Sequence, residues 1–372
     1  MAYGTVNADI IGTSVAGSNL GPGNATVFKN RIINGDMRID QRNAGASTTI
    51  TATAYTLDRW QAYCGGVSSK FSVQQNAASV TPPVGYTNYL GCTSASAYSI
   101  STTDRFGINQ TIEGLNATDL AWGTANAKTV TLSFWVYSSL TGTFGGSIQN
   151  YAATRSYPFS YTISTANTWT QISITIAGDT SGTWLTTNSG FATLNLAIGT
   201  GSTYSGTAGA WATADYRSST SAVSVVGTSG ATFYITGVQL EVGSFATGFE
   251  YRDYGNQLVQ CQRYYQKSYP YATVPGSTVN NENAVQMDWG SLTSGIASCV
   301  FALPVVMRTD PTSVSYDLVG NSGKVSSLDG GATVTNNVSY NNLNPRAERF
   351  YLRMYGVTIY GISFMYTLSA EL

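Results

Sequence analysis

Histidine is absent from the 372-residue chain. The commonest general base and the commonest metal ligand are therefore missing, and with them any Ser-His or Cys-His nucleophile pair. Charge is scarce as well. Only 10% of residues are Asp, Glu, Lys or Arg, where soluble chains ordinarily carry about 25%. The formal net charge is -1 and no dense Lys/Arg run occurs. Nucleic acid is thereby excluded as an expected partner, because phosphate binding needs many cations. Cysteine is sparse: Cys64, Cys92, Cys261 and Cys299 contain no C-x-x-C pair. The expectation is four buried, reduced thiols, with no disulfide scaffold, no zinc site and no cofactor. No apolar run approaches the ~18 residues of a membrane span. Residues 1–28 lack the basic and then apolar order of a secretory signal. These absences predict a soluble protein made in a cytoplasm.

What the chain does have is aromatic and neutral polar. Aromatics reach 12%, the reverse of a disordered composition. Polarity comes from Ser, Thr, Asn and Gly. Residues 129–137 alternate, with Val130, Leu132, Phe134 and Val136 on one face and Thr129, Thr131, Ser133 and Trp135 on the other. That is the period of a half-buried strand. Residues 170–176, 191–198 and 232–242 read the same way, separated by Gly/Ser/Asn/Thr clusters. Many short strands with polar turns predict a sandwich or jelly roll.

Residues 256–267 (NQLVQCQRYYQK) break the rhythm. Leu258, Cys261 and Tyr264/Tyr265 have helical spacing and Asn256 is the expected N-cap. Strands resume at 285–289, 296–303, 313–318, 350–357 and 360–368, with loops expected at 320–331 and 336–344. The predicted organisation is an N-terminal attachment arm (1–27), a jelly-roll domain (28–253), a junction helix (254–269) and a smaller C-terminal β-sandwich domain (270–372). The arm is small and polar, but carries Val6, Ile10, Ile11, Val15 and Leu20, which could order on a partner.

Residues 199–206 (GTGSTYSG) lack G-x-G-x-x-G spacing and a phosphate-binding Lys, so they read as a turn between strands. Glycosidase chemistry needs two carboxylates. Asp104, Glu113, Asp119, Glu241, Glu250, Asp253 and Asp288 are candidates, but no pair is marked out, and no catalytic residue is assigned. A ring face can cover the apolar face of a sugar while amides and hydroxyls bond its OH groups. Trp184, Tyr204, Trp211 and Tyr340 lie in polar stretches outside clear alternation, as does Tyr216. The first four are the expected glycan-binding residues, although buried rings also simply fill cores. Asp58-Arg59-Trp60 reads as a paired Asp or Arg beside a core Trp rather than as a binding corner.

Residues 30–42 (NRIINGDMRIDQR) and 55–60 (YTLDRW) resemble the opening of a domain found in phage and prophage tail proteins. Residues 132–144 (LSFWVYSSLTGTF) resemble its central strand, and 235–252 (ITGVQLEVGSFATGFEYR) with 261–267 (CQRYYQK) its closing strand and exit helix. Ala370-Glu371-Leu372 also fits such endings. The resemblance covers residues 28–270 well and the rest more loosely. It implies a bacteriophage tail-fibre or tail-appendage protein with a carbohydrate-binding-module-like jelly roll. It further implies a virion location, a homotrimer, contact with other tail proteins through the arm, and adsorption to host surface polysaccharide. A structural head or tail decoration protein and a polysaccharide-degrading tail enzyme are the alternatives.

Overall fold

The computed structural model describes residues 28–328, 334–339, 342–343 and 345–372. The predicted arm and Tyr340 lie outside the described residues. The fold is all-β, a jelly-roll sandwich followed by a smaller β unit. The first compact unit comprises the described residues through Met37, with Thr49–Thr53 and Ala62–Arg252. The second comprises Arg38–Thr48, Ala54–Gln61 and Asp253–Leu372. No helix among the described residues is long and apolar enough to cross a membrane.

The strands of the jelly roll are β1 (Trp60–Gly65), β2 (Phe71–Gln75), β3 (Leu90–Ser94), β4 (Arg105–Glu113), β5 (Val130–Ser138), β6 (Gly142–Asn150), β7 (Ser156–Ile163), β8 (Thr170–Ile176), β9 (Gly190–Thr200) and β10 (Thr232–Val242). One sheet runs β2-β3-β10-β5-β8 and the other β1-β4-β9-β6-β7. Alternation builds them. Val130, Leu132, Phe134 and Val136 are buried, and the antiparallel register sets Ile172 opposite Phe134 and Ile174 opposite Leu132. Rings from the two inner faces meet across the core: Phe71 with Phe106 at 6.3 Å, Phe134 with Tyr161 at 5.2 Å, Phe144 with Phe233 at 6.0 Å. Each fully buried ring of this kind stabilises the sandwich by roughly 2–3 kcal/mol.

The opening motif latches onto the closing strand. Asn30 Nδ2 donates to Val238 O at 3.0 Å, and Leu240 N donates to Asn30 Oδ1 at 3.0 Å. Glu250 accepts Asn30 N at 2.7 Å and Phe28 N at 2.9 Å. Gly35 comes so close that a Cβ there would stand 2.1 Å from Val238 O. The motif residues 30–35 and 235–252 are therefore two sides of one buried seam.

In the second unit, helix α1 (Tyr254–Gln262) starts two residues before the Asn256 expected to cap it. Asp253, not Asn256, is the N-cap; its carboxylate accepts Asn256 N at 3.2 Å. The segment also does not stay helical to Lys267. Tyr265–Lys267 forms β11 and pairs with residues 367–369, so tertiary pairing overrides the helical spacing of Tyr264 and Tyr265. The further strands are β12 (Val285–Ala302), β13 (Thr312–Tyr316), β14 (Val325–Leu328), β15 (Val334–Val338), β16 (Asn342–Leu343) and β17 (Arg349–Ser369). The expected pairs of strands at 285–303 and 350–368 are each one long strand. Register shifts between Asp288 and Ile296 explain why the sequence reads as interrupted. Strands β14, β15 and β16 occupy parts of the segments expected as loops. Strand β17 carries β11 and β13 on its last residues and β12, β14 and β16 on the rest. Phe350 anchors the core, with Phe301, Phe364 and Tyr366 rings 4.9–5.5 Å away.

The remaining motif residues gather in this unit. Arg59 is 1% exposed, ion-pairs with Glu371, and lies 3.6 Å over the Tyr264 ring. Arg42 pairs with the same carboxylate at 2.8 Å and stacks 3.8 Å over Tyr265. Tyr55 Oη donates to Leu372 O at 2.6 Å. Asp58 accepts both Gln41 N and Gln41 Nε2. Trp60 is fully buried. Asp58-Arg59-Trp60 is thus a structural corner, as its pairing pattern implied. Cys92, Cys261 and Cys299 are buried, Cys64 is partly exposed, and all four are unbridged.

Candidate functional site

The outward face of the β1-β4-β9-β6-β7 sheet is polar by alternation. Ile108, Leu194, Leu196 and Ile148 point into the core, so the residues between them point out. Register brings Asn195 opposite both Asn109 and Ser147, and Thr193 opposite both Thr111 and Gln149. The side chains form a network. Asn195 Nδ2 donates to Ser147 Oγ at 3.1 Å and to Gln149 Oε1 at 2.9 Å, and the Thr111 and Thr193 hydroxyls lie 2.9 Å apart. Gln149 Nε2 donates to Asp215 Oδ1 at 2.6 Å, and Arg217 Nε donates to the same oxygen at 3.2 Å.

The segment after β9 overlies this face. Ser205–Gly206 pairs in parallel with Ser218–Ser219, and Arg217 N donates to Tyr204 O at 2.8 Å. A Cβ on Gly145 of β6 would meet Ser218 Oγ at 2.4 Å, so glycine lets the segment approach the sheet. The same fold-back seats the Tyr216 ring against Gly206. The Arg217 guanidinium lies 5.7 Å over the Tyr63 ring and that of Arg105 lies 4.5 Å over Tyr204. Tyr63 is 3% exposed and its hydroxyl has no hydrogen-bond partner. Burial pushes its phenol well above its ordinary value; Arg217 and Arg105 oppose the rise. The Tyr63 hydroxyl is therefore a neutral donor beside two guanidiniums and one carboxylate. Asn109, Thr111, Ser147, Gln149 and Asn195 are buried beneath the segment and bond one another. The groups left at the border are the half-buried Tyr204, Tyr216, Arg105, Asp215 and Arg217, rings and charged groups that can stack on and bond a hydroxyl-rich ligand.

The sequence-nominated residues separate. Trp184 and Trp211 come together, 5.5 Å apart, in a cluster with Trp122, Phe191 and Tyr157. Trp184 is buried, and its indole N–H donates to Ser181 O at 3.0 Å. Packing accounts for its position. Trp211 is half-buried and donates to Ala177 O at 2.8 Å. Tyr204 stands instead under Arg105 on the polar face. Tyr63, Arg105, Gln149, Asn195, Asp215 and Arg217 were not singled out from sequence. The alternation of Leu194, Asn195 and Leu196 in β9 was the available signal for the floor. Nothing local indicates which loop covers it.

Most of the candidate carboxylates hold structure. Asp104 accepts Tyr98 Oη at 2.8 Å and Ser101 N at 2.7 Å; Asp119 pairs with Arg31 at 2.6 Å. Glu241 accepts Thr247 N at 2.8 Å, and Asp253 caps α1. Burial alone would raise the Glu250 carboxyl, but the Asn30 N–H, Arg252 and the Phe28 N–H outweigh it and leave it below its ordinary value. Glu113 is buried on β4 and Asp288 is exposed on β12. Among the described residues no three His, Cys, Asp or Glu gather as a metal site would require.

No protein-family model matches the chain, and no curated protein matches it. Solved structures do. The enzymatically active domain of bacteriophage CBA120 tailspike protein 4 matches with a TM-score of 0.32 and 13% identity, over 58% of this chain and 22% of that one. This chain thus spans well under two thirds of that tailspike chain. A CBM4 structure matches with a TM-score of 0.28 and 15% identity, over 56% of this chain and 98% of that one. A family 11 carbohydrate-binding module from Clostridium thermocellum, in complex with a mixed-linked tetrasaccharide, matches with a TM-score of 0.26 and 10% identity, over 54% and 97%. Likenesses this distant transfer no residue role and no ligand to this chain.

Proposed function

We propose that the chain is a non-catalytic, glycan-binding component of a bacteriophage tail fibre or tail appendage that mediates adsorption to the bacterial surface. The observation that carries the binding role is the half-buried group of Tyr204, Tyr216, Arg105, Asp215 and Arg217, held in place by the buried network of Asn109, Ser147, Gln149 and Asn195 beneath it. The tail assignment rests on the sequence resemblance. The non-catalytic reading is supported by the structural duties of Asp104, Asp119, Glu241, Glu250 and Asp253 described above.

Titration of host surface polysaccharide into the full chain tests the binding role. Tyr204→Ala and Arg217→Ala should each weaken binding about tenfold, the scale of one ring contact or one charged hydrogen bond, with melting unchanged. Unaltered binding in both variants refutes this placement. Self-association as a homotrimer belongs to the same reading. Sedimentation at micromolar concentration should give three times the 39.4 kDa chain mass; a 39.4 kDa species that persists on concentration refutes it.

A further inference from the structure

The outward face of the other sheet carries a cluster of aromatic rings among its amide and hydroxyl side chains. Strand β5 turns Ser133, Trp135 and Tyr137 outward, opposite in sense to the buried Leu132, Phe134 and Val136. Register seats Trp135 between Gln171 of β8 and Thr236 of β10, and Tyr137 beside Tyr234. The Tyr137 and Tyr234 rings stack at 5.4 Å with 5° between planes. Trp169 packs on Tyr137 and on Tyr89 at 5.5 Å each. A second group adjoins Trp135: Tyr86 hydrogen-bonds with it and lies 5.4 Å from Phe249 and 5.7 Å from Tyr251.

The polar ends of these rings are already bound. Trp169 Nε1 donates to Thr81 O at 2.9 Å, Tyr89 Oη to Ala77 O at 2.5 Å and Tyr251 Oη to Gly85 O at 2.8 Å. The rings are thus fixed in place: Tyr89 and Tyr234 are buried, and Tyr137 and Trp169 pack against them and stay partly exposed. Tyr251 is 56% exposed, and Trp135, Tyr137, Trp169 and Tyr86 are half-buried. The neighbouring outward positions of β8 are Gln171, Ser173 and Thr175, all exposed. The Lys29–Glu241 ion pair stands at the Thr131 end of this face and the buried Asp36 lies near Tyr86. The residues paired with Trp135 and Tyr137, namely Gln171, Thr236 and Tyr234, carry no charge. Trp135 and Tyr137, two residues apart on one strand, stand about 7 Å from each other along it.

We propose that this face is a second binding site, for a neutral linear polysaccharide whose flat pyranose rings stack on the Trp135/Tyr137 and Tyr86/Tyr251 groups. Ring faces flanked by short amide and hydroxyl side chains match the two kinds of surface a sugar presents. The absence of charge from the positions paired with Trp135 and Tyr137 means that no acidic group on the ligand is needed there. The site is separate from the polar face around Tyr204 and does not depend on it.

Affinity electrophoresis of the full chain through gels containing mixed-linked β-glucan, hydroxyethylcellulose, galactomannan or dextran tests the proposal. At least one of these should retard the wild type. Trp135→Ala should lower that affinity at least tenfold, and Tyr251→Ala, at a 56% exposed position, severalfold. Leu115→Ala, at an exposed position that belongs to neither site, should leave the retardation unchanged. Absence of retardation by all four polymers overturns the proposal, as does equal retardation of wild type, Trp135→Ala and Tyr251→Ala. Loss with Tyr204→Ala alone also overturns it while leaving the first site standing. A fall in solution mass on Trp135→Ala would assign the face to a second copy of the chain, and so overturn it too.

Discussion

Replacing Glu371 by Ala should destabilise the second unit by about 3–5 kcal/mol, the cost of leaving a buried charge without its partner. The Glu371 carboxylate is the shared partner of Arg59 and Arg42. The Arg59 side chain is 1% exposed, so no water takes over when the carboxylate is removed. The flanking backbone is engaged as well: Arg308 donates to Ala370 O at 2.8 Å and to Glu371 O at 3.0 Å, and Ala370 N donates to Tyr264 O at 2.8 Å. Urea unfolding with hydrogen exchange read on β11 and β17 localises the loss to this unit. A Glu371→Ala change below about 1 kcal/mol, the level of a surface pair, would falsify the buried-latch reading. The paired replacement Arg59→Met with Glu371→Leu should recover much of the loss, because it removes both charges.

The latch also shows where sequence reading stops. Strands β5, β8, β9 and β10 were legible within two residues, because alternation of apolar and polar side chains is written locally. Residues 30–42, 55–60, 261–267 and 370–372 stood out as motifs without a reason. The reason is long-range: Arg59 meets Glu371 across 312 positions and Asn30 meets Leu240 across 210. No window of local pattern contains such a pair. The same limit applies to the polar face. Alternation in β4 and β9 turns Asn109 and Asn195 outward, but that Asp215 and Arg217 come to lie over them depends on the path of the segment after β9. Strand β11 is the converse. There a local helical spacing was real, yet pairing with β17 overrode it.

Asp58 gives the second unit a pH dependence of unusual sign. Its carboxyl is fully buried and raised from 3.8 to about 6, chiefly by desolvation, with Arg42 and the Gln41 hydrogen bonds working against the rise. In the unfolded chain the group titrates near pH 4. Between about pH 4 and pH 6 the folded chain holds a proton that the unfolded chain has released, so stability must fall as pH rises through that window. The contribution is fully present below pH 4 and lost above pH 6, and two units amount to about 3 kcal/mol. Glu250 acts in the opposite sense: its lowered value adds stability above its unfolded value and loses it as pH falls. The wild-type curve alone therefore mixes the two, and the comparison must be with Asp58→Asn, which cannot titrate. That variant carries a constant cost, since one of the two Gln41 donors then faces an amide nitrogen. The stability advantage of wild type over Asp58→Asn should shrink by about 3 kcal/mol between pH 4 and pH 7. Urea unfolding at four pH values across this range measures it. A difference that stays flat would show that Asp58 ionises in the fold as freely as in the unfolded chain, and that its burial is relieved by partners other than Arg42 and Gln41.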